Sequence, residues 1–525
     1  MTWLRVNQAE ILTWLQAAGT AAHLHSDSRS IDAQHDAVFF AYPGDEADGR
    51  NFIGAAIKNG AKAVVFDATA FAWNENWKVP HLGVPGLKTL AGPIAAAWYG
   101  QPDTGMFTAA VTGTNGKTSC SQWIGSALSR LGERTAVIGT LGISSFDGGL
   151  SGEPESTGYT TPDAVMLQRL LAQLRKQGAT SLAIEASSIG LAQDRLNGMH
   201  FDVALFTNFT RDHLDYHGDM ASYAAAKKKL FDWPGLAHAV LNLDDELGRE
   251  LAETHRGRMN LIGYSLEGSL SAGVPVLLAC DIRHRSFGME FRIESPFGSA
   301  RMKSHLVGHF NVSNLLGVLG VLLAKGVEWD AAVAALKHLE PAPGRMQQMG
   351  GRDAPLVVID YAHTPDALEK ALEALRQIAD ERNGQLWCVF GCGGDRDSGK
   401  RPQMGHVAEA ADHVIVTSDN PRGESPQEII EQIVGGMSAE HQKIEDRASA
   451  ILLAVKQAAK NDVILLAVQA VGQVNRITGA DDHEIGQRNE PPDAKRIAYC
   501  LEKRHDQVGF GRQVDVEAGL HPRQE

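Results

Sequence analysis

The stretch VTGTNGKTSC, residues 111–120, has the composition of a loop that binds phosphate. In such a loop, backbone N–H groups and the start of the next helix face the anion, a lysine reaches the outer phosphates, and a Ser or Thr hydroxyl holds Mg²⁺. The usual spacing puts four residues between a first glycine and Gly-Lys-Ser/Thr, but Val111 occupies the position of that glycine. The working loop is therefore the shorter segment from Gly113 to Thr118.

The sequence on both sides favours this interpretation over a glycine-rich turn that binds nothing. The run MFTAAV, residues 106–111, is typical of a strand, and apolar residues from Trp123 to Leu131 recur at helical spacing. Strand, loop, lysine, threonine and helix in this order predict ATP binding.

Composition limits the classes of function. With 525 residues the chain has room for about three domains, and 43% hydrophobic and 21% charged residues are typical of a globular protein. A net charge of −14 argues against nucleic-acid binding but leaves room for a local basic pocket. The start lacks a signal peptide, no run is long enough for membrane insertion, and the five cysteines are scattered, so we expect a cytoplasmic protein.

The order of strand and helix signals predicts an α/β protein with three domains. Residues 1–103 are expected to form a small N-terminal α/β domain. Residues 104–340 form a central ATP-binding domain with a P-loop-type, mostly parallel sheet, in which the run TAVIGTLGI, residues 135–143, is expected to be one strand. Residues 341–525 are expected to form a C-terminal Rossmann-like domain.

Polar residues follow the predicted strands of the central domain, where open α/β sheets bind ligands. Glu185 ends one strand and is suited to Mg²⁺, with a solvated strand end as the alternative. The next strand leads into TNFTRDHLDYHGDM, residues 207–220, which is too rich in His and acidic residues for a plain turn. The three lysines at 227–229 are either functional or a solvated helix face, and composition does not separate the two.

In the last domain, three loops after strands carry charged groups. One holds Asp360 and His363 before a helix, and GCGGDRDSGKRP, residues 391–402, is expected to bind an anion through its arginines and lysine. The third places Asn420 and Arg422 on a loop suited to a carboxylate-bearing ligand.

These motifs together resemble the Mur ligases. The resemblance covers about residues 25 to 467 and rests on an ordered set of motifs: GTNGKT, TTPDA, EASS, TNFTRDHLDYHGDM, GHFNVSN, PGRMQ, DYAHTPDAL, GCGGDRDSGKRP and DNPRGE. Within the family, the chain is most similar to members that add a diamino acid.

The resemblance implies an ATP-dependent amide-forming ligase of peptidoglycan precursor synthesis. Its substrates would be ATP, UDP-N-acetylmuramoyl-L-alanyl-D-glutamate and meso-diaminopimelate, its metal Mg²⁺, and its reaction would pass through an acyl phosphate. The resemblance implies UDP binding by the N-terminal domain, residues 1–103, and amino-acid binding by the C-terminal domain, residues 341–525, whose tail from about residue 468 is atypical. The resemblance also implies a lysine carbamylated by CO₂, and we expect a monomer.

Site residues are implied by matching motifs. The catalytic residues would be Lys117, His213 and Lys227. The ATP contacts would be Gly113, Thr114, Asn115, Gly116, Lys117, Thr118, Asn311, Arg345 and Asp360. The metal ligands would be Thr118, Glu185, His213 and the carbamate of Lys227. The UDP-sugar-peptide contacts would be Ser28, Thr160, Thr161, Ser187, Gln193 and Arg195. The diaminopimelate contacts would be Arg396, Asp419, Asn420, Pro421 and Arg422.

The sequence departs from the family pattern at two places. Ile189 stands where the family often has His, and Val468 and Gly472 stand at the first Gly and final Glu of a Gly-Lys-Gly-His-Glu stretch. The tail is either diverged or the product of a reading-frame change near residue 467. Three functions remain as alternatives to a diaminopimelate-adding ligase: an L-lysine-adding ligase, a folylpolyglutamate synthetase, or a catalytically impaired nucleotide-binding homologue.

Overall fold

In the described part of the chain, three β-sheets with flanking helices form the framework. A computed structural model describes residues 7–18, 23–31, 36–45, 47–285 and 288–467. The chain divides into two compact units between Ala342 and Pro343.

The first sheet of unit one contains four parallel strands in the order β1-β2-β3-β4. Its strands are β1 (His23–His25), β2 (Ala37–Ala41), β3 (Ala61–Phe66) and β4 (His81–Gly83). Its helices are α1 (Gln8–Ala18), α2 (Ile53–Lys58) and α3 (Leu87–Trp98), with short 3₁₀ turns at Ser28–Ser30 and Gly49–Phe52. β2 and β3 coincide with the apolar, β-branched and aromatic runs that predict buried strands.

The second sheet of unit one has eleven strands, and its parallel centre carries the phosphate loop. Its strands are β5 (Phe107–Thr112), β6 (Thr135–Gly139), β7 (Gly142–Asp147), β8 (Leu150–Ser151), β9 (Ser181–Glu185), β10 (Val203–Phe206), β11 (His238–Asn242), β12 (Asn260–Ser265), β13 (Val276–Arg285), β14 (Gly288–Ser295) and β15 (Gly298–Ser304). The order is β15-β14-β13-β12-β11-β10-β5-β9-β6-β7-β8. Because β10, β5 and β9 are parallel neighbours, their C-terminal ends meet at one edge.

Helices cover both faces of this sheet. They are α4 (Lys117–Arg130), α5 (Ala164–Lys176), α6 (Ser188–Ala192), α7 (Leu214–His217), α8 (Met220–Lys228), α9 (Glu246–His255), α10 (His309–Ala324) and α11 (Trp329–Leu336). α4, α10 and α11 contribute to one apolar core, and α5, α6 and α9 contribute to a second core on the opposite face. The doubly covered, mostly parallel sheet confirms the predicted fold class.

One predicted strand is wrong. The run at 135–143 is a hairpin of β6 and β7, in which Gly139 pairs with Gly142 across a two-residue turn. Gly142 has a φ of +100°, which a glycine adopts without strain, so the chain reverses there. The reversal places Thr140 at the same sheet edge as the end of β9.

Unit two contains a six-stranded sheet in the order β16-β17-β21-β18-β19-β20. Its strands are β16 (Gln347–Gly350), β17 (Leu356–Asp360), β18 (Leu386–Phe390), β19 (His413–Val416), β20 (Gln442–Lys443) and β21 (Val463–Ala467). Its helices are α12 (Pro365–Glu381), α13 (Lys400–Ala408), α14 (Pro426–Val434) and α15 (Arg447–Gln457). All strand pairs except β16–β17 are parallel, as expected for a Rossmann-like domain.

Candidate active site

The phosphate loop lies between β5 and α4 and is fixed by the segment after β10. The backbone oxygen of Asn208 accepts a hydrogen bond from Thr114 N (2.8 Å), and its side-chain oxygen accepts one from Asn115 N (2.9 Å). Thr207 Oγ1 donates to the carbonyl oxygen of Asn115 (2.6 Å). The segment at the C-terminal end of the neighbouring strand β10 therefore holds the loop.

Two glycines of the loop occupy positions that a side chain would disrupt. Gly113 has a φ of +146°, and a Cβ there would lie 1.9 Å from Thr207 Oγ1. Gly116 has a φ of +87°, and a Cβ there would lie 2.6 Å from Asn314 Oδ1 on α10. Both the backbone conformation and the close packing require glycine at these positions.

Two lysine ammonium groups converge on the carbonyl oxygen of Gly113. Lys117 Nζ donates to Gly113 O (2.9 Å) and to Thr114 O (2.8 Å), and Lys227 Nζ from α8 donates to Gly113 O (2.7 Å). Lys227 Nζ also lies 4.3 Å from the centroid of the Tyr223 ring. Two positive charges held this close repel, so the arrangement favours either a bound anion or loss of a proton from one lysine.

The proton is lost more easily from Lys227. Its side chain is only 1% exposed. Burial lowers the pKa of the ammonium well below 10.5, the charge of Lys117 lowers it further, and Asp212 and Asp245 oppose both effects. A lowered pKa increases the fraction of Lys227 that is a neutral, nucleophilic amine.

Glu185 lies beside the loop at the end of β9, where it pairs in register with Val111 of β5. Its carboxylate is 1% exposed and accepts hydrogen bonds from Thr140 N (2.9 Å) and Thr140 Oγ1 (3.1 Å). Gly139 leaves room for it, since a Cβ there would lie 2.1 Å from Glu185 Oε1. The β6–β7 turn therefore fixes the carboxylate at the sheet edge.

His213 directly precedes the four-residue helix α7, and His217 is the last residue of that helix. His213 precedes α7 with a φ of +54°, and its Nε2 lies 3.4 Å from Asp212 Oδ2. His217 Nε2 lies 3.0 Å from Ser188 Oγ, and burial and the charge of Lys227 lower its pKa. The segment after β10 thus contributes two imidazoles near the buried lysine.

The structure joins most of the residues predicted to contact the UDP-sugar-peptide. Thr161 Oγ1 lies 2.9 Å from Ser187 Oγ and donates to the backbone oxygen of Glu185 (2.8 Å). Arg195 donates to Thr161 O (2.9 Å) and to Gln193 Oε1 (2.8 Å). These four side chains form one hydrogen-bonded set next to the phosphate loop.

Three further predicted residues make contacts outside this set. Thr160 Oγ1 is 3.1 Å from Thr140 Oγ1. Ser28 lies in the first 3₁₀ turn, where its backbone oxygen accepts from Asn59 Nδ2 (2.9 Å). Asn311 is buried at the start of α10, and its amide donates to Val307 O (2.8 Å).

In unit two, Arg345 and Asp360 lie near each other at the end of β17. The Arg345 guanidinium lies 4.3 Å from the centroid of the Tyr361 ring. Asp360 accepts a hydrogen bond from Met346 N (2.8 Å); burial raises its pKa, and the charge of Arg345 opposes that shift.

The residues predicted to bind the amine lie on two joined loops, after β18 and β19. Gly394 N donates to Asn420 O (3.1 Å), and Arg422 Nη1 donates to Gly394 O (2.8 Å). A Cβ at Gly394 would lie 1.8 Å from Pro421 O. Asp419 is 2% exposed and forms an ion pair with Arg447, and Arg396 Nη1 lies 3.3 Å from Asp395 O.

The expectation that Arg401 binds an anionic ligand is not supported. Arg401 is 1% exposed, and it donates to both oxygens of Glu424 (2.7 and 2.8 Å) and to Gly393 O (3.1 Å). This contact holds the pKa of Glu424 at about 2. Arg401 therefore joins the two loops internally, which sequence spacing does not reveal.

Sequence reasoning missed three residues that shape the site: Thr140, Tyr223 and Asn314. The pattern at 135–143 puts Thr140 in the interior of a strand. Asn314 lies on α10, far along the chain from the phosphate loop that it contacts. A signal for Tyr223 exists, because it precedes Lys227 by four residues and so shares its helix face.

The described residues lack two features. Within these ranges, no group of three or more His, Cys, Asp or Glu side chains is placed to hold a metal ion. No helix in the same part of the chain has both the length and the apolarity needed to cross a bilayer. Val468 and Gly472 lie outside the described residues, as does the rest of the tail.

Comparisons with known proteins agree with this architecture. Three family profiles match: the Mur ligase family catalytic domain at residues 21–99, the Mur ligase middle domain at 111–322, and the Mur ligase glutamate ligase domain at 344–468.

Two relatives and one solved structure are similar along most of their length. A UDP-N-acetylmuramoyl-L-alanyl-D-glutamate–2,6-diaminopimelate ligase of Janthinobacterium sp. (strain Marseille) is 61% identical over 465 residues, which cover 87% of this chain and 91% of the relative. The protein with the same description from Ralstonia nicotianae is 49% identical and covers 90% and 93%. A solved structure with that description is 34% identical with a TM-score of 0.60, covering 92% and 95%. On this evidence the chain belongs to the Mur ligase family.

Proposed function

We propose that the protein is an ATP-dependent ligase that joins meso-diaminopimelate to UDP-N-acetylmuramoyl-L-alanyl-D-glutamate. The observation that carries the proposal is the convergence of Lys117 and Lys227 on Gly113 O, beside Glu185 and the set around Thr161. Such a site brings a phosphate-binding loop next to polar groups for a second, anionic substrate. The relatives named for this reaction support the choice of substrates.

The reaction follows from the need to activate a carboxylate. A carboxylate oxygen of the dipeptide attacks the γ-phosphorus of ATP, the bond to the bridging oxygen breaks, and ADP leaves. The amine nitrogen then attacks the acyl phosphate carbon, loses a proton, and expels inorganic phosphate as the amide forms. Lys117 would neutralise the charge that accumulates when the two anions meet, and the fixed loop would align them.

Thr118 and Glu185 fit the role of magnesium ligands. One hydroxyl and one buried carboxylate are the kind of partial oxygen set that Mg²⁺ takes when phosphates and water supply the other ligands. The ion would contribute charge neutralisation at the phosphates. His213 would be a ligand for a second ion.

Lys227 fits the carbamylated lysine. Addition of CO₂ to an amine requires the neutral form, and the burial of Lys227 and its lowered pKa favour that form. The resulting carbamate would place an anion near Lys117, and it would bind a metal ion.

The remaining contacts stay as predicted from the motifs. Ser28, Thr160, Thr161, Ser187, Gln193 and Arg195 would bind the nucleotide sugar and its dipeptide. Arg396, Asp419, Asn420, Pro421 and Arg422 would bind the diamino acid, with Arg422 holding its distal carboxylate. Asn311, Arg345 and Asp360 would contact ATP. We further propose that the protein acts as a monomer in the cytoplasm, where both ATP and its nucleotide-sugar substrate would be available.

Phosphate release by the purified protein tests this function. With ATP, Mg²⁺ and the UDP-dipeptide, we expect release with meso-diaminopimelate and much less with L-lysine or no amine. Glu185→Gln should abolish release, while Glu250→Gln, which alters an exposed acid paired with Lys228, should leave it unchanged. Release that does not depend on the UDP-dipeptide would contradict the proposal.

A further inference from the structure

Asp45 lies in the loop after β2 and receives hydrogen bonds from three separate elements. Lys88 Nζ of α3 donates to Oδ1 (2.7 Å), Gln193 Nε2 after α6 donates to Oδ2 (2.8 Å), and the Tyr216 hydroxyl of α7 donates to the same oxygen. Lys88 lies on α3, which packs against the first sheet. Gln193 and Tyr216 lie on segments that follow strands of the second sheet. One carboxylate thus links the two sheets of unit one.

An ionised carboxylate at position 45 can accept all three hydrogen bonds. The hydrogen bonds from Lys88 and Tyr216 lower the pKa of Asp45 to about 2, so the group stays charged at neutral pH. A carboxylate offers acceptors to all three donors, but an amide of the same shape would point its NH₂ group at one of them. The site therefore discriminates between Asp and Asn.

The contact with Asp45 sets the orientation of Gln193. Because Asp45 accepts from Nε2, the amide oxygen faces Arg195, whose Nε donates to it (2.8 Å). Arg195 Nη1 then donates to Thr161 O (2.9 Å), and Thr161 Oγ1 donates to Glu185 O (2.8 Å). A continuous chain of hydrogen bonds leads from Asp45 to the backbone of the candidate metal ligand.

The contact with Tyr216 reaches the same site by a second path. Tyr216 lies in α7, between His213 and His217. His217 contacts Ser188 Oγ (3.0 Å), and its ring centroid lies 5.1 Å from that of Tyr223. Holding the Tyr216 hydroxyl therefore restrains α7, which follows His213 and ends at His217.

We propose that Asp45 is a positioning residue that orients Gln193 and Arg195 for the sugar-peptide part of the substrate and fixes α7 beside them. The inference rests on the proposed function and adds a role for a residue outside the motifs. Asp45 acts through these side chains, so its loss changes substrate affinity more than the chemistry at the phosphate.

Steady-state kinetics of Asp45→Asn tests the proposal. Losing one or two charge-assisted hydrogen bonds should raise KM for the UDP-dipeptide at least tenfold, with KM for ATP unchanged within twofold. Asp48→Asn is a matched control, because Asp48 lies on the same loop and pairs with Arg50, outside this chain of contacts. In a Gln193→Ala background, Asp45→Asn should raise KM by less than threefold.

The outcomes separate the inference from the function it rests on. If the wild type forms no product, the proposed function fails first. If the wild type is active and Asp45→Asn keeps its KM for the UDP-dipeptide within twofold, the positioning role is refuted. A purely structural role would lower the melting temperature of Asp45→Asn and Asp48→Asn alike, with no selective change in KM. If Asp45→Asn does not fold, Tyr216→Phe and Lys88→Met each remove one donor and should each raise KM for the UDP-dipeptide threefold or more.

Discussion

Replacing Gly139 with Ala should inactivate the protein without unfolding it. The new Cβ would lie 2.1 Å from Glu185 Oε1 and 2.7 Å from its Cδ. To reach the ordinary contact distance of 3.4 Å, the carboxylate must move by about 1.3 Å. The φ of Gly139 lies outside the left-handed region, so alanine causes no backbone strain there. The substitution therefore acts on Glu185 itself.

The displacement has a large effect on function and a smaller one on stability. Glu185 would lose the hydrogen bonds from Thr140 N and Oγ1, which are worth about 1.5–3 kcal/mol each for a charged acceptor. A shift of about 1 Å in a positioned group costs roughly 100-fold in rate. We expect kcat/KM to fall about 100-fold and the Mg²⁺ concentration for half-maximal activity to rise. Overpacking of this kind costs about 1–3 kcal/mol in the free energy of unfolding.

Measurement of ADP release against Mg²⁺ concentration, together with thermal unfolding, checks this prediction. Gly152→Ala is the matched control, because a Cβ there meets no atom within 4 Å, and it should behave as wild type. The reasoning is refuted if Gly139→Ala keeps its kcat/KM within threefold and an unchanged Mg²⁺ dependence.

Two further predictions concern buried cations. Lys227→Met should abolish ligation yet raise the melting temperature at pH 7. Burial lowers the pKa of Lys227, so the unfolded chain binds this proton more tightly than the folded protein does, and the lysine costs stability below pH 10.5. The gain from methionine should shrink as pH rises toward 10.5, and equal gains at pH 7 and pH 10 would contradict this reasoning. Arg401→Met should destabilise unit two by about 1–3 kcal/mol, because it removes the buried hydrogen bonds to Glu424 and Gly393 O, as denaturant unfolding would show. Arg376→Met, which breaks the more exposed pair with Asp412, should cost less than about 1 kcal/mol; equal losses for the two arginine variants would refute the argument.

The phosphate loop and its surroundings were predictable because they follow from local patterns. Period-two and helical runs locate β5, β9 and β10, and a parallel sheet brings their C-terminal ends together. Gly113, Lys117, Glu185 and the segment after β10 therefore meet as expected.

Other features depend on contacts between distant parts of the chain. Composition did not distinguish Lys227 from Lys228, yet one is buried under the phosphate loop and the other pairs with Glu250 at the surface. Arg401 resembles a ligand-binding arginine until Glu424 is placed beside it. Asp45 lies in a loop without a motif, and its role depends on residues about 150 positions later in the chain.

The hairpin at 135–143 shows a third limit. Its apolar residues fit one strand, and the reversal depends on a single glycine with a positive φ. Since that turn places Thr140 against Glu185, ending the strand at residue 143 in place of Gly139 hides a contact of the site.

Isotope transfer tests the central claim, that the loop holds ATP whose γ-phosphate passes to a substrate carboxylate. UDP-N-acetylmuramoyl-L-alanyl-D-glutamate labelled with ¹⁸O in the γ-carboxyl group would be turned over with ATP, Mg²⁺ and meso-diaminopimelate, and the phosphate and product analysed by mass spectrometry. The account predicts one ¹⁸O atom in each inorganic phosphate released and a product heavier by one diaminopimelyl residue. Unlabelled phosphate formed without that product would mean that water, and not the carboxylate, attacks ATP, and would contradict the account.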